Sequence, residues 1–346
     1  MQPLLKDTAM SSIRPVVLFA ILLLVVVVSP PTAPAHAQPS NAAPDAASVL
    51  DAVVKVTARI PADARTAKGL GTEREGSGVV IDSSGLVLTI GYLMLEAESV
   101  EIGLRDGGTV PATRIAYDHD TGFGLVRAIR PLGLKPAELG VSAEIDVRAQ
   151  VLAVAHGGRN MTMPALVVSR RPFAGSWEYL LENAIYTAPP HPVFGGAALF
   201  SPDGKLVGIG SLIVPDAAPN AQLPGNMFVP IDILKPIFAD LLDKGRTQNP
   251  LRPWLGLSAD ELRGRLFVTR TAEGGPAADA GIEAGDMVIG VGGEPIAGLA
   301  DFYRKVWATG DAGVTIRLDV LKGTSVKPIE IKSIDRYRWL KMDRSY

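Results

Sequence analysis

Residues 76–89 read Gly-Ser-Gly-Val-Val-Ile-Asp-Ser-Ser-Gly-Leu-Val-Leu-Thr and have the form of a β-hairpin. Two short aliphatic runs flank the turn Asp82-Ser83-Ser84-Gly85, as expected for antiparallel strands. Residues 198–209 repeat this design around Ser201-Pro202-Asp203-Gly204, where Pro presets φ and Gly accepts a positive φ. Similar short strands and turns continue from about residue 49 to 230, a pattern that favours an all-β barrel or sandwich.

Length and composition indicate two globular domains without cofactor chemistry. The chain has 346 residues, of which 47% are hydrophobic and 20% charged, so each domain has enough apolar residues for a core. A net charge of −2 provides no basic field for nucleic acid. The absence of cysteine excludes disulfides and Cys-ligated zinc. Because no His, Asp and Glu cluster has metal-ligand spacing, we expect neither a metal nor another cofactor.

The N-terminal 37 residues have the pattern of a secretory signal peptide. Lys6 and Arg14 precede the apolar run 16–28, which is shorter than the roughly 20 residues of a membrane span. Ala35-His36-Ala37 is a small-x-small pattern that predicts cleavage after Ala37 and export to the periplasm or beyond. An uncleaved N-terminal membrane anchor is the alternative. Residues 38–47 are rich in Ala and Pro and predict a flexible lead-in.

The rest of the chain divides at a helix and a linker. A helix is predicted over about 233–244, with Asp232 as its cap and Gly245 at its end. We therefore expect a first domain over 48–245 and a linker over 246–253, followed by a second domain over 254–334 and a tail over 335–346. In the second domain, strands are predicted near 266–269, 287–291 and 314–321, and a helix over 299–307. No structure is predicted for the tail.

Three stretches of the first domain resemble the active-site motifs of HtrA/Deg-type serine proteases, which have a chymotrypsin-like fold. They are residues 76–89, then 118–126 (Asp-His-Asp-Thr-Gly-Phe-Gly-Leu-Val), and 192–199 (Pro-Val-Phe-Gly-Gly-Ala-Ala-Leu). Where the family has its catalytic His, Asp and Ser, this chain has Tyr92, Gly122 and Phe194. The resemblance extends over about 48–334. It implies a mainly β fold, with a chymotrypsin-like double β-barrel followed by one PDZ domain of α+β type.

The residues at these three positions predict that the Ser-His-Asp mechanism is lost. Phe194 has no heteroatom, Gly122 has no side chain, and a tyrosine such as Tyr92, with an ordinary pKa near 10, is a poor base at neutral pH. Pro192 stands at one oxyanion-donor position of the family pattern and has no N–H. The rings of Phe194 and Tyr92 are expected to pack together and fill the cleft, with an open peptide groove as the alternative. The sequence therefore predicts a pseudoprotease that is not an enzyme; an active endopeptidase with a rearranged site is the alternative.

Other histidines and serines are not expected to replace the missing groups. His119 stands between two aspartates, but neighbours on a strand point to opposite faces, so we expect an ordinary surface turn. His191, in a Pro-rich run, is predicted to line the old groove rather than to act as a base. Ser201 fits a hairpin turn and Ser211 a strand end, and neither has a Gly-x-Ser-x-Gly context.

Residues 275–295 resemble the signature of bacterial PDZ domains. Such a domain binds a peptide C-terminus as an added strand beside a helix, and backbone N–H groups of a loop hold the terminal carboxylate. The matching loop here is Trp254-Leu255-Gly256-Leu257. On the helix, Phe302 and Val306 are candidates for the side-chain pocket, with simple core packing as the alternative.

The function predicted from these features is binding. We expect an exported HtrA-like protein that binds peptide C-termini or partner proteins through its PDZ domain, in envelope protein quality control or as a scaffold. The resemblance implies a trimer, either of this chain alone or with HtrA-like relatives. Neither nucleic acid nor, once the signal peptide is removed, a membrane is an expected partner.

Overall fold

The computed structural model of the chain describes residues 46–342. The predicted signal peptide, nearly all of the lead-in and the last four residues lie outside this range. Within it, no helix is both long and apolar enough to cross a membrane. The six described α-helices are α1 (Ala46–Asp51), α2 (Ala67–Leu70), α3 (Phe238–Lys244), α4 (Pro276–Asp279), α5 (Leu299–Ala308) and α6 (Arg336–Trp339).

The first part of the chain forms a closed antiparallel barrel with the strand order β1-β2-β3-β6-β5-β4. Its strands are β1 (Val53–Arg59), β2 (Glu73–Val80), β3 (Leu86–Ile90), β4 (Ser99–Gly103), β5 (Thr109–Tyr117) and β6 (Phe123–Ala128). The predicted hairpin over 76–89 is β2–β3. Its turn is fixed by Asp82, whose carboxylate accepts hydrogen bonds from the N–H groups of Ser84 and Leu86 at 2.8 and 2.9 Å, a typical Asx-turn.

A second closed barrel follows, with the order β10-β11-β12-β9-β8-β7. Its strands are β7 (Gln150–Val154), β8 (Thr162–Gly175), β9 (Tyr179–Ala188), β10 (Ala198–Phe200), β11 (Leu206–Val214) and β12 (Gly225–Pro230). The predicted hairpin over 198–209 is β10–β11. Buried side chains of both barrels, among them Phe123, Tyr186 and Phe200, share one hydrophobic cluster. The two barrels therefore pack against each other through this shared core.

The helix predicted over 233–244 is shorter than expected. Two 3-10 turns, Ile231–Ile233 and Lys235–Ile237, come first, and α3 begins only after them. Pro236 lies in the second turn and lacks an N–H, and the carboxylate of Asp232 accepts a hydrogen bond from Ala143 instead of capping the helix. Gly245 ends α3 in the left-handed conformation, as predicted.

The C-terminal part of the chain is a smaller α+β unit. Its strands pair in the order β13-β14-β15-β17-β18, with β16 beside β15, so β13 is an edge strand. They are β13 (Leu257–Leu262), β14 (Arg265–Thr271), β15 (Met287–Val291), β16 (Glu294–Pro295), β17 (Thr315–Lys322) and β18 (Ser325–Lys332). Helix α5 packs on this sheet through fully buried residues that include Phe302 and Val306.

The tail folds back across the molecule. Helix α6 and Leu340 lie against the first barrel, where Leu340 joins the hydrophobic cluster of Val56 and Ile102. The hydroxyl of Tyr337 donates to the carbonyl of Tyr117 at 2.9 Å and accepts from the N–H of His119 at 3.0 Å. The tail thus connects the end of the C-terminal unit with the first barrel. The domain boundaries proposed from the sequence stay a prediction.

Candidate functional site

Tyr92 lies in a 3-10 turn that follows β3, and its side chain reaches β11 of the second barrel. Its hydroxyl donates to the carbonyl of Ser211 at 3.0 Å, and burial raises its pKa well above the usual value near 10. The ring does not pair with Phe194 among the described aromatic contacts, contrary to the expected packing of these two rings. Tyr92 is therefore a structural hydrogen-bond donor that connects the two barrels and cannot accept a proton near neutral pH.

The backbone and one aromatic side chain fill the space beside Gly122, the residue that the sequence analysis matched to the catalytic Asp. Gly122 has φ +82°, a conformation that L side chains rarely adopt, and a Cβ atom there would lie 2.9 Å from the hydroxyl oxygen of Tyr179. That hydroxyl donates to the carbonyl of Thr121 at 2.7 Å. Position 122 therefore has no room for a side chain while Tyr179 keeps this hydrogen bond.

The loop that resembles the nucleophile motif uses its backbone groups internally. The N–H of Ala197 donates to the carbonyl of Phe194 at 3.0 Å, and the N–H of Gly196 donates to Gly210 at 2.8 Å. Val193 donates its N–H to Nδ1 of His191 at 3.1 Å, while Pro192 is exposed. Phe194 is half-buried at the centre of this loop. The N–H groups of Val193, Gly196 and Ala197 are therefore all bonded to other groups of the protein.

Two histidines lie elsewhere than the sequence predicts. His191 is buried, and its ring nitrogens are both engaged: Nδ1 accepts from Val193, and Nε2 donates to the carbonyl of Met161 at 3.2 Å. It therefore braces its loop and does not line a groove. His119 is not in a surface turn but between the barrels and the C-terminal unit, where Nε2 donates to the carbonyl of Glu178 at 3.1 Å. Burial and the neighbouring Arg336 guanidinium hold its pKa well below the usual value.

The structure brings together one Ser–His pair that the sequence analysis missed. The Oγ of Ser77, in β2, lies 3.1 Å from Nδ1 of His156, in the loop after β7. Nε2 of the same ring lies 3.5 Å from a carboxylate oxygen of Glu75. Burial lowers the pKa of His156, which favours the neutral ring. Ser77 itself has no exposed surface. The only sequence signal is the presence of Ser and Glu at alternate positions of one strand, since His156 comes from the other barrel.

The loop predicted to bind a carboxylate holds one. The N–H groups of Leu255, Gly256 and Leu257 donate to the side-chain carboxylate of Glu178 at 2.9, 2.7 and 3.1 Å. Gly256 adopts φ +74° and so lets successive N–H groups point to the same side. Trp254, the first residue of the predicted loop, instead packs its ring on Trp339 at 5.0 Å between centroids. We call the three N–H groups of residues 255–257 the amide nest.

Glu178 is delivered to the amide nest by the turn between β8 and β9. The N–H of Ala259, at the edge of β13, donates to the carbonyl of Ser176 at 3.1 Å. From the other side, the hydroxyl of Tyr303 in α5 donates to the carbonyl of Gly175 at 2.7 Å and accepts from the N–H of Glu178 at 3.1 Å. The turn of the second barrel therefore lies between β13 and α5.

Charged groups surround the contact between the β8–β9 turn and the C-terminal unit. Asp120 forms an ion pair with Arg252 at 3.2 Å, and Arg336 donates to the carbonyl of Trp177 at 3.1 Å. Burial raises the pKa of Asp120 to about 6 in spite of Arg252. Burial also raises the pKa of Glu178 to about 7, although the amide nest acts in the opposite direction. Among the described residues, no group of His, Asp and Glu could hold a metal ion.

Comparisons with known proteins agree with this architecture. Residues 76–209 match the family described as a trypsin-like peptidase domain, and residues 253–332 match the PDZ domain family. The solved HtrA-type protease AlgW with a decapeptide has a TM-score of 0.50 at 19% identity, covering 84% of this chain and 98% of that one. The predicted fold class is therefore confirmed: a trypsin-like double barrel is followed by one PDZ domain.

The curated proteins that resemble this chain are named as serine proteases. The periplasmic pH-dependent serine endoprotease DegQ of Escherichia coli (strain K12) is 28% identical over 74% of this chain and 58% of its own length. The putative serine protease HhoA of Synechocystis sp. is 29% identical over 72% of this chain and 68% of its own length. The chain thus spans under two thirds of the length of DegQ and is similar to HtrA-type proteases across both domains.

These relatives contradict the prediction that the chain is not an enzyme, because DegQ is named as a serine endoprotease and HhoA as a putative serine protease. The prediction rested on the three triad positions, and the active endopeptidase with a rearranged site was its alternative. A Ser–His contact between distant segments, such as Ser77 with His156, has no local sequence signal. The assignment of Tyr92, Gly122, Phe194 and Pro192 as degenerate positions stays a prediction.

A substitution at position 122 tests the crowding around Tyr179. Gly122→Ala is expected to lower the free energy of unfolding by about 2 to 4 kcal/mol, because it combines a positive-φ penalty with a steric clash. Gly107→Ala is the matched control, since φ is +85° there and no atom lies within 4 Å of the added Cβ. It is expected to cost only about 1 kcal/mol. Urea unfolding measures the free energy of unfolding of both variants. Equal losses in Gly122→Ala and Gly107→Ala would contradict a steric clash at position 122.

The raised pKa of Glu178 predicts a pH-dependent contribution to stability. Its pKa is about 7 in the folded chain against an ordinary 4.5, so the folded state binds a proton that the unfolded state releases. The stabilisation is complete below about pH 4.5 and is lost as the pH rises through about 7. His119, with its lowered pKa, changes the stability with pH in the opposite direction. The effect of Glu178 is therefore measured as the difference in melting temperature between the unsubstituted chain and a Glu178 variant.

The melting temperature of the unsubstituted chain minus that of Glu178→Gln is therefore expected to fall between pH 5 and pH 8. Glu144→Gln, at an exposed position, is the control and should give a difference that stays flat over the same range. A difference for Glu178→Gln that rises with pH would show that the amide nest outweighs desolvation at this carboxylate.

Proposed function

We propose that this chain acts in the cell envelope as an HtrA-type protein whose PDZ domain binds the C-terminal segments of other proteins. The observation that carries the proposal is the amide nest, in which three backbone N–H groups converge on one carboxylate. A chain terminus offers the same two oxygens as the Glu178 side chain. A carboxylate with several backbone donors is held strongly and with defined direction, because the hydrogen bonds are charge-assisted.

The surroundings of the amide nest suit an extended peptide. β13 is an edge strand, so its outer side can pair with a peptide backbone. Helix α5 runs beside it and supplies Phe302 and Val306 to the buried face. We assign these two side chains to the floor of the pocket for the last apolar residue of a ligand, which they would contact together with Leu257.

The names of similar proteins support a periplasmic location. DegQ and several other relatives are named as periplasmic proteins, and the N-terminal residues of this chain have the pattern of an export signal. We place the protein in the periplasm, where exposed C-termini of damaged or misplaced envelope proteins are its expected ligands. Assembly as a trimer, of one chain or with HtrA-like relatives, is part of the same proposal.

Peptide binding to the full chain tests this function. A short fluorescein-labelled peptide ending in a free Val carboxylate is expected to bind at least about tenfold more tightly than its C-terminal amide, because only the acid satisfies the amide nest. Gly256→Trp should abolish this preference. Gly264→Trp is the matched control, since Gly264 also has a positive φ but lies in open space in the β13–β14 turn. Fluorescence anisotropy measures peptide binding by all three proteins. Equal affinity of the unsubstituted chain for the acid and the amide would contradict the proposal.

A second candidate function is serine endopeptidase activity at a rearranged site, and the contact between Ser77 and His156 favours it. In such a reaction the Ser77 oxygen would attack the peptide carbonyl and pass its proton to Nδ1 of His156. His156 would then deliver that proton to the leaving amine, with Glu75 orienting the ring through Nε2. Ser77 is fully buried, so this reaction requires an opening that exposes its Oγ while His156 stays within hydrogen-bond distance.

A serine-directed fluorophosphonate probe tests the rearranged site. Labelling of the full chain is expected, and it should disappear in Ser77→Ala and in His156→Gln. Ser201→Ala, which alters a hairpin-turn serine bonded to Asp203, is the control and should be labelled normally. Labelling that survives in Ser77→Ala would exclude this nucleophile, and no labelling of any of these proteins would speak against endopeptidase activity. In-gel fluorescence and mass spectrometry of the labelled peptide provide the measurement.

A further inference from the structure

We propose that the segment 175–180, which comprises the turn between β8 and β9 and the adjoining strand ends, is an internal ligand of the PDZ groove, which a C-terminal peptide must displace in order to bind. We call this segment the plug. The inference rests on the proposed function, because it concerns regulation of the same groove. Three contacts carry it, and each duplicates one contact that an external peptide would make.

The first contact is the carboxylate. One oxygen of Glu178 accepts from Leu255, and the other accepts from both Gly256 and Leu257. Glu178 is only 3% exposed, so there is no space above it for a second anion. Two carboxylates in one nest would also repel each other in a site of low dielectric. A peptide terminus and the Glu178 side chain therefore exclude each other.

The second contact is at the strand edge. The N–H of Ala259 in β13 donates to the carbonyl of Ser176, a group that a peptide added as a strand would also need. Glu178 itself has a positive φ of 59°, and its side-chain carboxylate lies in the amide nest at the start of β13. The plug thus imitates a short strand that terminates in a carboxylate.

The third contact is apolar. Leu180 belongs to the second barrel in sequence, but it is 5% exposed and packs in the hydrophobic cluster of the PDZ domain, together with Leu255, Phe302 and Val306. It occupies space beside the helix residues assigned to the side-chain pocket. Tyr303 fixes the plug from the same helix through its hydroxyl, which is bonded to Gly175 and to the N–H of Glu178.

An internal ligand reduces the apparent affinity for external peptides. The groove is available only for the fraction of time in which the plug is released, and the apparent dissociation constant rises in inverse proportion to that fraction.

Peptide affinities of plug variants of the full chain test the inference. The labelled peptide with a free Val carboxylate is expected to bind Glu178→Ala at least about tenfold more tightly than the unsubstituted chain, since the competing carboxylate is gone. Glu178→Gln, which keeps one acceptor oxygen, should lie between them. The matched control is Glu182→Gln, on β9: Glu182 also contacts α5, pairing with Arg304 at 2.6 Å, but is exposed and outside the amide nest. Its affinity should stay within about twofold of the unsubstituted chain.

Each outcome is decisive. Measurable but equal binding by the unsubstituted chain and Glu178→Ala overturns the plug and leaves the proposed function standing. Failure of every variant to bind overturns the proposed function and the plug with it. Equal gains for Glu178→Ala and Glu182→Gln would mean general loosening of the two domains and would also overturn the plug. If Glu178→Ala does not fold, Tyr303→Phe takes its place, because it removes the hydroxyl bonded to Gly175 and Glu178. Unchanged peptide affinity in that variant overturns the inference.

Discussion

The arrangement of this protein depends on one buried carboxylate. Glu178 enters the PDZ domain from a turn of the second barrel and receives hydrogen bonds from three consecutive backbone N–H groups. Burying a carboxylate without partners costs several kcal/mol, so these donors are what makes the position tolerable. Its own carbonyl accepts from His119, which connects the first barrel to the same point. Both barrels and the PDZ domain therefore meet at this residue, and the tail adds Arg336 beside it.

The junction between the two barrels is filled by contacts that stabilise the fold. Tyr92 bonds to the carbonyl of Ser211, and Tyr179 fills the space that a side chain at position 122 would need. A Ser–His contact exists nearby, but between Ser77 and His156 and with the serine buried. DegQ is named as an endoprotease, and hydrolysis at Ser77 in this chain would require exposure of its buried Oγ.

Much of the fold could be predicted because its signals are local. The Asx-turn at Asp82, the Pro-Asp-Gly turn at 202–204 and the signature at 275–295 each depend on a few neighbouring residues. The plug could not be predicted, since Glu178 and the amide nest are nearly eighty positions apart and no local pattern identifies this partner. The same holds for Ser77 with His156 and for the tail, whose Tyr337 bonds to His119 across 218 sequence positions. His119 was misplaced for that reason, because its neighbours alone suggest a surface turn.

Hydrogen exchange at the backbone amides of Leu255, Gly256 and Leu257 tests the central claim most directly. In the unsubstituted chain without any added peptide, these three amides should be strongly protected, because Glu178 accepts a bond from each. Glu178→Ala should deprotect them selectively, while amides within β14 and β15 keep their protection. Fast exchange of the three amides in the unsubstituted chain, or equal protection in both proteins, would contradict the placement of Glu178 in the amide nest.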